Sequence, residues 1–154
     1  TQFGHREPGL VGATFANESV YAPVILDGAH CDYAAARIAY ELKKEKFFLI
    51  SDAAFLGRKV ENFKWENFDA HLENGFYRNE EGNLAGASIS MDEAVQNAYK
   101  YLNVSADEAI KMATCRVAGA INMENEVGKI KPGFPATFVQ FNPDLSEIKS
   151  LVLI

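Results

Sequence analysis

The run Phe47-Phe48-Leu49-Ile50-Ser51-Asp52-Ala53 constrains this chain more than any other stretch. Its apolar residues do not alternate with polar ones, which suits a strand covered on both faces in a parallel sheet. It ends on a carboxylate. In α/β barrels and doubly wound sheets, the carboxyl ends of the strands line the crevice where ligands bind. An Asp at a strand end also commonly caps the next turn, so the strand alone leaves both roles open for Asp52.

The preceding segments supply a partner strand. Tyr21-Ala22-Pro23-Val24-Ile25-Leu26 is a short apolar strand that stops at the turn pair Asp27-Gly28. Tyr33 to Lys44 reads as a helix, with Ala34, Ile38 and Leu42 at fourfold spacing and Ala35 and Ala39 beside them. Lys43-Lys44 suit the negative end of that helix. Strand, helix and strand with short joints make a βαβ unit with a right-handed crossover. Residues Thr1 to Gly12, rich in Gly and Pro, read as a loop.

Beyond Asp52 the character changes. Phe63-Lys64-Trp65 is a brief extended piece, and Ala70-His71-Leu72 and Phe76-Tyr77-Arg78 flank Asn74-Gly75, a dipeptide that favours tight hairpin turns. A second turn, Glu80-Glu81-Gly82-Asn83, leads into Leu84-Ala85-Gly86-Ala87-Ser88. The stretch is too polar for a barrel core and reads as a lid or rim insertion over residues 60–88. Two helices follow, from about Met91 to Leu102 and from Ala106 to about Thr114, with a further turn or two from Arg116 to Ile121. Ser90 with Glu93, and Ser105 with Glu108, carry the capping-box signature of a helix start. After the turn cluster Gly128–Gly133, Thr137–Phe141 and Ile148–Val152 read as two strands of a separate β unit over 128–154.

With 154 residues the chain can bury a sizeable core. A formal net charge of −6, with Lys and Arg scattered among acids, argues against nucleic acid or an anionic membrane as partner. Cys31 and Cys115 lack metal-ligand spacing and read as reduced, buried thiols of a cytoplasmic protein, although a disulfide between them is not excluded by sequence. No signal-peptide pattern and no membrane-length apolar run is present. The chain opens without Met and stops in the apolar run Ser150–Ile154, so both ends look cut.

Three residues fall at loop positions suited to chemistry: Arg6, His30 and Asp52. His30 follows the first strand as Asp52 follows the second, so adjacent parallel strands would present an imidazole and a carboxylate on one rim. Each has a plainer reading, His30 as a solvated turn residue and Arg6 as a surface charge. As an anion clamp, Arg6 would offer phosphate a planar fork.

Four motifs in order, His5-Arg6-Glu7-Pro8-Gly9-Leu10-Val11-Gly12, Asp27-Gly28-Ala29-His30, Ile50-Ser51-Asp52-Ala53 and Leu84-Ala85-Gly86-Ala87-Ser88, resemble the N-acetylglucosamine-6-phosphate deacetylase family of the amidohydrolase superfamily. The stretch from Met112 to Gly133 resembles the superfamily's more general tail. The resemblance implies an α/β fold: the carboxyl-terminal part of a (β/α)8 TIM-type barrel over 1–127, its strands resembling seven and eight, then strands of a small β-sandwich domain. It implies hydrolysis of N-acetylglucosamine 6-phosphate to glucosamine 6-phosphate and acetate by a metal-activated water.

In that resemblance Asp52 matches the catalytic acid and base. His30 matches a substrate contact, and Arg6 an arginine that binds the sugar phosphate, often across a homodimer interface. Leu84, Ala85 and Gly86 match a rim segment against the substrate. His5 and His71 match nothing and read as surface residues. Ser51, Ala85, Ala87 and Thr137 depart from residues common in the family. The family's ligands for a divalent metal, zinc or similar, are a Glu and two His on strands that would precede residue 1. The chain is therefore expected to be part of a longer enzyme and inactive alone. Alternatives are an amidohydrolase of a related amino sugar, or a non-catalytic remnant that binds sugar phosphate or mediates oligomerisation.

Overall fold

The computed structural model describes residues 3–53, 58, 60–66 and 68–152. Residues 1–2 of the expected amino-terminal loop and 153–154 of the last apolar run lie outside them. Strands β1 (Ala22–Ile25) and β2 (Phe47–Ile50) pair in parallel, Ala22 opposite Phe47 and Ile25 opposite Ile50. Helix α2 (Tyr33–Lys43) and a 3-10 turn at Lys44–Lys46 connect them. The βαβ unit is therefore as expected.

Phe47 and Leu49 of β2 are buried, while Phe48 and Ile50 are half-buried. Two-sided burial is thus met on one face only, because no layer of the described residues covers the other completely. The covered face meets Ala36, Ala39 and Tyr40 of α2, Ala94, Val95 and Ala98 of α3 (Met91–Tyr101), and Met112 of α4 (Ala106–Met112) in one core. A further helix, α5, spans Cys115–Ala120.

Helix α2 buries a different stripe from the one its spacing pointed to. Ile38 and Leu42 are 59% and 56% exposed, whereas Ala36, Ala39, Tyr40 and Lys43 face inward. Small side chains let the helix approach the strands closely, and Tyr40 fills the remaining space with an edge-on contact to Phe47. Lys43 does not serve the end of its own helix. Its ammonium donates to the backbone carbonyls of Thr14 and Asn17, at the end of a helix the sequence reading missed.

That helix, α1 (Gly9–Ala16), corrects the loop expectation for Thr1–Gly12. Pro8 starts it with a fixed φ of −65°, and the Gly12 amide donates to the Pro8 carbonyl at 2.9 Å. A Cβ on Gly12 would lie 2.2 Å from the Pro8 Cβ, so only glycine allows that turn to close. Partners distant in sequence stabilise a segment whose composition is that of a loop.

The insertion is a three-stranded antiparallel sheet in the order β3 (Asn62–Trp65), β4 (Phe68–Glu73), β5 (Phe76–Arg78). Asn74 and Gly75 take φ of +51° and +86°, as a tight hairpin turn requires. Its own small core is Ala70 and Tyr77, with Phe63, Leu72 and Ala85 against them. His71 lies half-buried on β4 and not on the open surface, since the sheet flanks it with Asn62 and Arg78.

Helix α3 has its capping box, the Ser90 amide donating to Glu93 at 2.9 Å. The α4 box forms only in half. Ser105 Oγ accepts the Glu108 amide at 3.2 Å, but the Glu108 carboxylate turns inward to the Tyr40 hydroxyl and the Arg116 guanidinium. A buried cation outcompetes a solvated amide for that carboxylate. Strands β6 (Thr137–Phe141) and β7 (Ile148–Val152) form the expected antiparallel hairpin, and Leu145 in its turn joins the main core. Cys31 and Cys115 are free, yet half-buried and not buried, since each lies beside a helix start. Among the described residues no helix is long and apolar enough to cross a membrane.

Candidate active site at the strand ends

The parallel pairing fixes where the candidate residues emerge. β1 ends at Ile25 and β2 at Ile50, opposite each other, so the loop carrying His30 and the segment carrying Asp52 leave the same end of the sheet. Asp52 is exposed and adopts a φ of +44°, the left-handed region that non-glycine residues seldom occupy. Such strain concentrates where a side chain has to be aimed. Among the described residues its carboxylate forms no ion pair, which leaves it open to a proton or a ligand.

His30 is held far more tightly. Asp27 Oδ1 accepts the amides of Ala29 and His30, each at 2.9 Å, and Oδ2 lies 2.7 Å from His30 Nδ1. The Asp27 side chain is 3% exposed and the imidazole 20%. Burial pushes the Asp27 carboxyl up, but the imidazole bond and the two amide bonds outweigh it and hold the group below the usual carboxylate range. In the sequence Asp27 is half of a turn pair and the first residue of the Asp27-Gly28-Ala29-His30 motif, with no role of its own. The available signal is Asp followed three residues later by His, with the amides of Ala29 and His30 itself within reach of the carboxylate, a pattern that closes around an Asp side chain.

The rim segment reaches Asp52 through the backbone. Ala87 bridges Ala53 in parallel, one residue past the aspartate, while Leu84 bridges Arg78 and the Ala85 amide donates to the Tyr77 carbonyl at 2.8 Å. Leu84, Ala85 and Gly86 thus run between the hairpin sheet and the strand end. Ser88 fastens the hairpin there: its hydroxyl donates to the Gly75 carbonyl and accepts Arg58 Nε, and Arg58 pairs with Glu93 of α3 at 2.7 Å. A cleft of about 370 Å³ opens among Asp27, Arg58, Gly75, Ser88, Glu93 and Asn97. Asn97 donates to the Leu26 carbonyl at 2.8 Å and so ties α3 to the end of β1.

Arg6 stands apart. It is exposed in the bend ahead of α1, and among the described residues it forms no ion pair. Among the described residues no three His, Cys, Asp or Glu side chains gather as a metal-binding group. The donors present therefore do not fit a divalent metal by themselves. Asp52 and the His30 loop leave the same end of the sheet, and Ala87, just past the rim segment, bridges the residue after Asp52. That combination suits a hydrolytic strand-end site of an α/β protein.

Comparison with known proteins agrees with that class. Residues 10–152 match the profile of the amidohydrolase family, and the chain belongs to that family. It is 31% identical over 150 residues to the N-acetylglucosamine-6-phosphate deacetylase of Haemophilus influenzae, covering 96% of this chain and 39% of that protein. A putative N-acetylgalactosamine-6-phosphate deacetylase of Escherichia coli K12 is 32% identical over 146 residues, covering 94% of this chain and 87% of the relative. Among solved structures, the N-acetylglucosamine-6-phosphate deacetylase of Pasteurella multocida superposes with a TM-score of 0.86 at 27% identity, covering 96% of this chain and 41% of that one. The chain thus spans about two fifths of the Haemophilus and Pasteurella proteins.

Proposed function

We propose that this chain is the carboxyl-terminal part of a (β/α)8 deacetylase acting on N-acetylglucosamine 6-phosphate, with residues 128–154 returning to a small β-sandwich domain. The observation that carries the reading is the parallel register of β1 with β2, from whose common end the His30 loop and Asp52 both leave. Asp52 takes a proton from the attacking water and hands it to the departing amine nitrogen as the tetrahedral intermediate collapses. His30 and the backbone of Leu84–Gly86 hold the sugar, and Arg6 holds its phosphate. The divalent metal that belongs to this reading would need ligands from outside the described residues, in keeping with a longer enzyme that works as a homodimer. The share covered, 39% of the Haemophilus protein, supports the longer enzyme.

A second substrate is favoured by one specific observation. The E. coli K12 relative, at 32% identity, is named for the galactosamine epimer. The site residues identified here do not separate the two sugars, so both 6-phosphates belong in the assay of the complete enzyme. Acetate release from either, with a loss of at least about 100-fold in kcat/KM when the phosphate is absent, is the expected outcome, because the guanidinium fork then loses its charge-assisted hydrogen bonds to the anion. Equal turnover of the sugar with and without phosphate would remove Arg6 from the site.

A further inference from the structure

The loop between β1 and α2 contains a buried acid that the proposed chemistry does not use. Asp27 is turned inward with three acceptor contacts, and all three go to Ala29 and His30. Carboxylates are rarely buried unless their bonds are this complete. The loop around it is braced as well. Gly28 has a φ of +80°, and a Cβ there would lie 2.9 Å from the ring of Tyr33. That ring stacks on Tyr101 at 3.8 Å between centroids, with 15° between planes. The imidazole is therefore presented by a rigid loop, with its one described polar partner on the Nδ1 side.

We propose that Asp27 is a positioning residue: its carboxylate holds the His30 ring as the Nδ1–H tautomer and leaves Nε2 as the one ring nitrogen free to meet a ligand. An ionised carboxylate can only accept hydrogen bonds. The carboxyl is held below the usual carboxylate range, so at neutral pH the 2.7 Å contact has Nδ1–H donating to Oδ2. The orientation is set by the fold before any ligand arrives. This role of Asp27 in the reaction rests on the reading of His30 as a substrate contact, whereas the tautomer itself does not.

The test is ¹⁵N-labelled full chain observed through the long-range ring proton to nitrogen correlations of its three histidines, at a pH of about 9 where ordinary imidazoles are neutral. His30 is expected as the Nδ1–H form, while the exposed ring of His5 reports the Nε2–H form favoured by free imidazole. Asp27→Asn provides an inversion. Its amide oxygen keeps the two backbone contacts, and its NH2 then faces Nδ1, so the His30 ring switches to Nε2–H. The amides of Ala36 and Ala39 report that α2 stays folded. A wild-type His30 in the Nε2–H form, or in rapid exchange between forms, overturns the proposal. So does a folded Asp27→Asn variant in which His30 remains Nδ1–H. If that variant unfolds, the wild-type spectrum alone decides. No turnover enters the measurement, so the expected tautomer in a protein without deacetylase activity would sink the functional reading and leave the Asp27–His30 contact standing.

Discussion

Arg116 carries a charge that water barely reaches. Its side chain is 3% exposed and donates to Glu45, Glu108 and the Phe47 carbonyl, joining α5, α4 and the start of β2. Glu45 is mostly solvated and contributes little, so Glu108 is the partner that matters. Arg116→Met strands the Glu108 carboxylate beside Tyr40, and is expected to cost roughly 3–5 kcal/mol in urea unfolding. A loss under about 1 kcal/mol would contradict that. Tyr40 reports on the same cluster. Burial, and then its bond to the Glu108 carboxylate, push the phenol up to about 12 from an ordinary 10. Because the fold favours the protonated phenol, this stabilisation is complete below pH 10 and is lost as pH rises from 10 towards 12. Burial pushes the Tyr33 phenol up as well, so absorbance of the phenolate should show a late-titrating component that shrinks in Tyr40→Phe; an unchanged titration would refute the assignment. None of this was legible in the sequence. Glu108 had the spacing of a capping box, and Arg116 was one residue of a short helix. Their pairing depends on which faces of α4 and α5 turn inward, and local spacing does not encode that.

Elements were legible where local chemistry decides them. The apolar runs of β1 and β2, the capping box of α3 and the Asn74-Gly75 turn all follow from neighbours in sequence. Helix α1 does not, because it depends on Phe3 packing over Gly12 and on Lys43 capping its end from α2. The inward stripe of α2 was missed for a related reason: alanines were chosen over larger residues by close approach to the strands. Two glycines separate backbone strain from crowding. Gly75 has a φ of +86° and open space, so Gly75→Ala should cost only its conformational strain, about 1 kcal/mol. Gly28→Ala meets the stacked Tyr33 ring as well, and should cost more. Denaturant midpoints that fall equally for both, or further for Gly75, would contradict the view that Tyr33 clamps the His30 loop.

At the scale of the whole molecule, a two-stranded parallel sheet runs through the core, and the candidate residues follow one end of it. Among the described residues β1 and β2 pair only with each other, and Ile38 and Leu42 on α2, Ile130, and Val139 on β6 are exposed. Such surfaces are ordinarily covered in a stable protein, which accords with a chain that spans two fifths of its longer relatives. That His30 and Asp52 follow the same end of two parallel strands was readable because a βαβ unit allows only one arrangement of its strand ends. Asp27 was not, since its importance lies in the direction its side chain takes. In the proposed reaction Asp52 moves the proton of amide hydrolysis. The most direct measurement is acetate release from N-acetylglucosamine 6-phosphate by the complete enzyme carrying Asp52→Asn. A fall in kcat of at least about 100-fold with substrate still bound is expected; turnover at the wild-type rate would contradict that role of Asp52.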